Sequence, residues 1–195
     1  MLRITVLLAS LAVLLLAASV YLRSDGAGHP SAAEPDGDDA RAVLRNAAGE
    51  RVGTVKFSDD DDGVHVKAVL DAPLATFNAG FHGFHVHANN DPANGTGCVA
   101  PSFASADGHF KEAGQSHSAH SGDMPVLLVN ADGSAEARFV TDRVSVADLI
   151  GLVVIVHFDA DNYANIPVRY SATGPDAATL NTGDAGGRFA CGVID

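Results

Sequence analysis

From residue 41 onward the chain alternates short apolar runs with turn chemistry. "RAVLRNAAGERVGTVKFSDDDDGVHVKAVL" holds runs rich in Val and Leu, broken by "NAAGE" and "DDDDG". Both breaks are built from turn-forming residues. Within it, "GVHVKAVL" alternates apolar and polar over part of its length, the period of a half-buried strand. "FHVHA" predicts another short strand. "VLLVNADGSAEARFV" sets two runs around Asn-Ala-Asp-Gly and predicts a hairpin. "GLVVIVHF" is almost continuously apolar, which suits a strand buried on both faces. "RFACGVI" predicts a last strand, and only "VSVADLI" (144–150) hints at a helical turn. Residues 88–125 and 158–187 are long and irregular, and long loops in a compact domain are usually functional. Short strands at regular spacing predict an all-β fold, an antiparallel sandwich or barrel.

The start of the chain follows another pattern. In "MLRITVLLASLAVLLLAASVYLRSDG", Arg3 precedes an apolar run from Ile4 to about Leu22. Residues 1–23 therefore read as a signal peptide, with "AAS" at 17–19 as a small-residue cleavage site. The run is also long enough for an uncleaved N-terminal membrane anchor. No cysteine lies near it for a lipid anchor. Residues 24–40 are small, acidic and Pro/Gly-bearing and read as a flexible linker. Residues 41–195 are expected to form one domain, long enough for a sizeable core.

Composition narrows the function. The chain has 195 residues, 47% of them hydrophobic, with 20 Gly, no Trp and a net charge of −12. That charge argues against nucleic acid and against anionic membrane surfaces as partners. The two cysteines, Cys98 and Cys191, leave one disulfide or two buried thiols open, and export favours the disulfide. Its chain-entropy contribution would be on the order of 4–5 kcal/mol.

The histidines carry the chemistry. In "GFHGFHVHANN" (80–90), His85 and His87 are separated by Val86. Residues i and i+2 of a strand share a face, so H-x-H can present two nitrogens to one ion while Val86 points away. Two solvated histidines on a polar face would read the same. Downstream, "HFKEAGQSHSAHSGD" places His109, His117, His120 and Asp123 at gaps of eight, three and three. Such a set can close a four-coordinate zinc site, and a solvated His-rich loop is the plainer reading. His157 ends "VVIVH", either as a ligand or as a hydrogen-bonded core residue. His65 and His29 fit neither set.

Taken in order, H-x-H, a His-rich loop ending in Asp, "VVIVHFDAD" and "TGDAGGRFACGVI" resemble the copper,zinc superoxide dismutase family. The loops "HSGDMPVLLVNADGS" and "ADNYANIP" are similar to its bacterial, actinobacterial-type branch. The resemblance covers about residues 42–194. It implies an immunoglobulin-like Greek-key β-sandwich or barrel of about eight antiparallel strands with two long functional loops. It implies copper on His85, His87, His109 and His157. It implies zinc on His109, His117, His120 and Asp123, so that His109 bridges the metals. Asp161 would link His85 to His117, and Cys98 would pair with Cys191. Arg188 would supply the positive charge beside copper, making Arg188 and His109 the catalytic residues. The implied reaction is dismutation of superoxide to O2 and H2O2 with copper and zinc as cofactors. A homodimer is compatible with it. The chain departs from the family at "HFKEAG", where Lys111 and Glu112 stand in place of Asn-Pro. The gap between His117 and His120 is also short.

Two rival functions fit parts of the pattern. An exported copper-binding or copper-delivery module on the same fold could dispense with Arg188 or a copper ligand, and this chain keeps both. A zinc hydrolase needs an open zinc position and a nearby base, whereas the candidate zinc set is closed.

Overall fold

A computed structural model describes residues 39–195, so the readings for 1–23 and for 24–38 lie outside the described residues. Three strands come first: β1 (Ala40–Asn46), β2 (Arg51–Asp60) and β3 (Gly63–Asp71). β1 starts one residue before the expected boundary at 41, because Ala40 is already buried and pairs with Phe57. Burial alternates strictly along β1 and β3, as period-two patterning requires. The β2–β3 turn closes at Gly63, which sits at a φ of +125°. A Cβ there would come within 2.6 Å of the Thr141 carbonyl, so only glycine fits.

Then follow β4 (Gly80–His82), β5 (Phe84–His87), β6 (Leu127–Val129), β7 (Ser134–Thr141), α1 (Val146–Leu149), β8 (Val153–His157), α2 (Thr179–Thr182) and β9 (Arg188–Val193). Among the described residues, seven strands form one antiparallel sheet in the order β5-β8-β9-β1-β2-β3-β7, and β4 pairs with β6. The curled sheet is the all-β Greek-key architecture expected. The core lies inside it: Leu44, Val55, Phe57, Val66, Leu70, Phe84, Val86, Val154 and Val156 are among its buried residues.

β8 is buried along its whole length. Val154 and Val156 face the core, while Val153 and Ile155 pack on the other side against Phe103, Ala106 and Cys191. The first long loop therefore roofs the outer face of β8, which explains the nearly continuous apolar run. Cys98 is bonded to Cys191 and ties that roof to β9.

The expected hairpin at Asn-Ala-Asp-Gly differs in one respect. The turn forms, with the Asn130 N–H donating to the Ser134 carbonyl at 2.8 Å. Its arms then part: β6 pairs with β4, and β7 pairs with β3. The hairpin thus crosses from one sheet to the other. The outer face of the large sheet carries a row in strict register, Arg41 opposite Lys56, Lys56 opposite Lys67 and Lys67 opposite Arg138.

Candidate metal centre

Strand period aims the first two imidazoles. In β5, Phe84 and Val86 enter the core, and His85 and His87 point outward. β5 pairs with β8 through Phe84–Val156 to His87–Val153, so His157 at the end of β8 arrives beside them. The free edge of β5 is paired by the loop: the Val86 N–H donates to Gly122 and Phe110 donates to Val86, both at 2.8 Å. A Cβ on Gly122 would collide with the Val86 carbonyl, so this close approach needs glycine. These contacts lay His109 and Asp123 against β5, bridged to His87 and His85 respectively.

Backbone and carboxylate acceptors fix which nitrogen of each ring is free. His87 Nδ1–H donates to the Asp107 carbonyl at 2.8 Å, and His157 Nδ1–H donates to the Gly186 carbonyl at 3.2 Å. Their Nε2 atoms then face each other at 3.3 Å as two lone pairs. His85 Nε2 donates to Asp161 Oδ2 at 2.6 Å, which leaves Nδ1 buried with no partner. His109 Nε2 is also buried and unpartnered. One ligand atom each from His85, His87, His109 and His157 converge within 4.8 Å of one another.

A second set lies on the other side of His109. His109 Nδ1 is 2.9 Å from Asp123 Oδ1, and His117 Nδ1 is 3.0 Å from Asp123 Oδ2. His120 Nδ1 is 3.3 Å from Asp123 Oδ1 and 3.4 Å from His109 Nδ1. His117 Nε2–H donates to Asp161 Oδ1 at 2.8 Å. Asp161 therefore joins His85 of the first set to His117 of the second and fixes both rings.

Both sets fit metal ions. Facing lone pairs in a buried space repel unless a cation lies between them, and unpartnered buried nitrogens are costly. Four nitrogens suit copper, and three nitrogens with one carboxylate suit zinc. Burial, followed by the influence of neighbouring imidazoles, holds His157 down at about 3. Burial dominates at His85 too, where it outweighs the Asp161 bond and lowers the ring to about 4. His87 is pushed down by burial and by His109. These rings are neutral, ready to donate lone pairs. At His117 burial also lowers, but Asp123 and Asp161 outweigh it and raise the ring to about 9. Bonds from His109 and His117 at Asp123, and from His117 and His85 at Asp161, overcome burial and hold both carboxylates far below the usual range.

Beside the first set sits a half-buried arginine. Arg188 donates from Nη1 to the Phe103 carbonyl and from Nη2 to the Asp107 carbonyl. It lines an open pocket with Asp91, Asn94, Asp107 and Gly186. Lys111 donates to Asn181 at 2.8 Å, tying the His-rich loop to α2. His82 lies between the carbonyls of Asn78 and His157 and faces neither set. His65 is exposed beside Asp60 and Asp62, near the start of β3.

The structure thus brings together His85, His87, His109, His117, His120, Asp123, His157, Asp161 and Arg188. Asp107 was not foreseen. Its carbonyl accepts from both His87 and Arg188, and a backbone carbonyl, which every residue type carries, leaves no mark in a sequence.

Residues 51–194 match the family model for copper/zinc superoxide dismutase. The chain is 38% identical over 181 residues to a Cu-Zn superoxide dismutase of Mycolicibacterium paratuberculosis, covering 87% of this chain and 79% of that protein. It is 36% identical over 172 residues to a Cu-Zn superoxide dismutase of Mycobacterium bovis, covering 82% and 71%. A double mutant of a SOD-like protein from Bacillus subtilis shares the fold, with a TM-score of 0.59 and 24% identity over 78% of this chain and 95% of that one.

Proposed function

The chain belongs to the copper/zinc superoxide dismutase family, with copper and zinc as cofactors, and from that premise we propose which of its residues carry superoxide dismutation. His85, His87, His109 and His157 hold copper, and His109, His117, His120 and Asp123 hold zinc. The observation that supports this is a pair of convergent donor groups, His85/His87/His109/His157 and His85/His109/His117/Asp123, with His109 in both and its Nδ1 turned to Asp123. Asp161 takes the Nε2–H of His85, and His120 Nδ1 completes the second group at 3.3 Å from Asp123. Bound copper would supply one-electron cycling, with one superoxide oxidised to O2 and the next reduced, with two protons, to H2O2, while zinc would supply a fixed charge.

The residues do the rest. Arg188 holds a positive charge at the mouth of the site, where it attracts and orients a small anion. The Phe103 and Asp107 carbonyls keep its guanidinium in place. His109 Nε2 is the atom at which a proton can be held and returned, because no neighbour competes for it. Asp161 keeps His85 and His117 in the tautomers that leave their Nδ1 atoms free. A net charge of −12 does not defeat the attraction, since salt screens charges beyond about 8 Å.

The protein is exported, with residues 1–23 as signal or anchor and 24–39 as linker, since Ala40 already belongs to β1. The Cys98–Cys191 bond supports an oxidising compartment. Purified protein loaded with both metals is expected to dismute superoxide under pulse radiolysis. Full zinc affinity together with full activity in His109→Ala would overturn the shared-imidazole assignment. Recovery of the protein only from the cytosol would overturn export.

A further inference from the structure

Asp107 stands where two functional groups meet. Its carbonyl accepts the His87 Nδ1–H at 2.8 Å and also an Arg188 N–H. One oxygen atom therefore orients both a ring that faces the copper set and the guanidinium at its mouth. The backbone here is unusual for a residue with a side chain, at a φ of +61°. That region favours glycine, and a side chain there must be compensated.

The compensation is visible. Asp107 Oδ2 accepts the Asn90 N–H at 2.6 Å and the Asp91 N–H at 2.7 Å. Oδ1 accepts from Asn94 Nδ2 at 2.9 Å. Asp91 in turn accepts the Ala93 N–H at 2.9 Å, so the whole 90–94 turn is knotted onto one carboxylate. Glycine would relieve the backbone but leave three donors without their acceptor.

We propose that the Asp107 carboxylate is a positioning group, which latches the 90–94 turn and so fixes the carbonyl that His87 and Arg188 share. This rests on the roles proposed above for His87 and Arg188. The same carboxylate puts a negative charge beside Arg188. It therefore restrains anion affinity while it orders the site.

Two substitutions separate the effects. Asp107→Asn keeps an acceptor oxygen for the turn but removes the charge. Asp107→Gly removes the latch without straining the backbone. Both variants are loaded with copper and zinc, and each is checked for metal content and thermal melting. The Cu(II) EPR spectrum and azide affinity are then read. For Asp107→Asn, the wild-type spectrum and azide binding about threefold tighter are expected. For Asp107→Gly, altered hyperfine splitting and azide binding weaker by on the order of tenfold are expected. An Asp107→Gly protein with wild-type EPR and wild-type azide affinity would overturn the proposal. A wild-type protein without a four-nitrogen Cu(II) signal would instead overturn the copper-site assignment on which it rests.

Discussion

At the scale of single residues, protons and metals compete for the same lone pairs. In the metal-free protein His85 and His157 stay neutral down to about 4 and about 3, whereas in the unfolded chain they take up protons near 6.5. Between those values the unfolded state binds more protons, so lowering the pH destabilises the fold. His117 works the other way. Raised to about 9, it contributes stability below 6.5 that is lost as pH rises through about 9. The melting temperature of metal-free protein is therefore expected to fall toward both ends, below about 6.5 and toward about 9. Calorimetry on metal-free and metal-loaded samples checks this, and metal should flatten the alkaline arm by replacing the proton on His117. Asp161→Ala is expected to weaken both zinc and copper binding by about 10–100-fold, measured by chelator competition, because it frees two rings at once. The candidate ligands stood out in the sequence as histidine spacings, each ambiguous alone, and only the family resemblance joined them into two sets. Asp107 did not, since the carbonyl it presents is common to every residue and the partners of its carboxylate, in the 90–94 turn, are set by the fold.

Among elements, the period of two carried most of the information. β3 reads off its alternation, and H-x-H reads off β5, because a strand leaves no choice of face. The unbroken run of β8 gave burial on both sides but not the roof that covers it. β4 and β6 hold three residues each, too few for any period to show. The hairpin at 130–133 was legible as a turn, but which sheet each arm joins depends on partners far away in sequence. The row Arg41–Lys56–Lys67–Arg138 is a cost at this scale, since like charges directly opposite one another repel. Lys56→Glu places a carboxylate between Arg41 and Lys67. It is expected to stabilise by about 0.5–1 kcal/mol in urea titrations, and high salt should erase most of the gain.

For the whole molecule, the disulfide joins architecture to site. Cys191 lies three residues after Arg188, and Cys98 starts the segment whose Phe103 carbonyl holds that arginine. Cys98→Ser is expected to cost about 4–5 kcal/mol on the chain-entropy model. Denaturant unfolding of the metal-free protein measures it, and weaker azide binding after reloading would report a loosened Arg188. The bond has a further consequence away from the native state. His109, His117, His120, Asp123 and His157 all ride between the two cysteines, 93 residues apart. An oxidised chain stripped of metal and unfolded is a noose rather than a string, and these donors remain confined to a small volume. The molecule carries a memory of its ligand set through damage, and a reducing environment is what makes it forget.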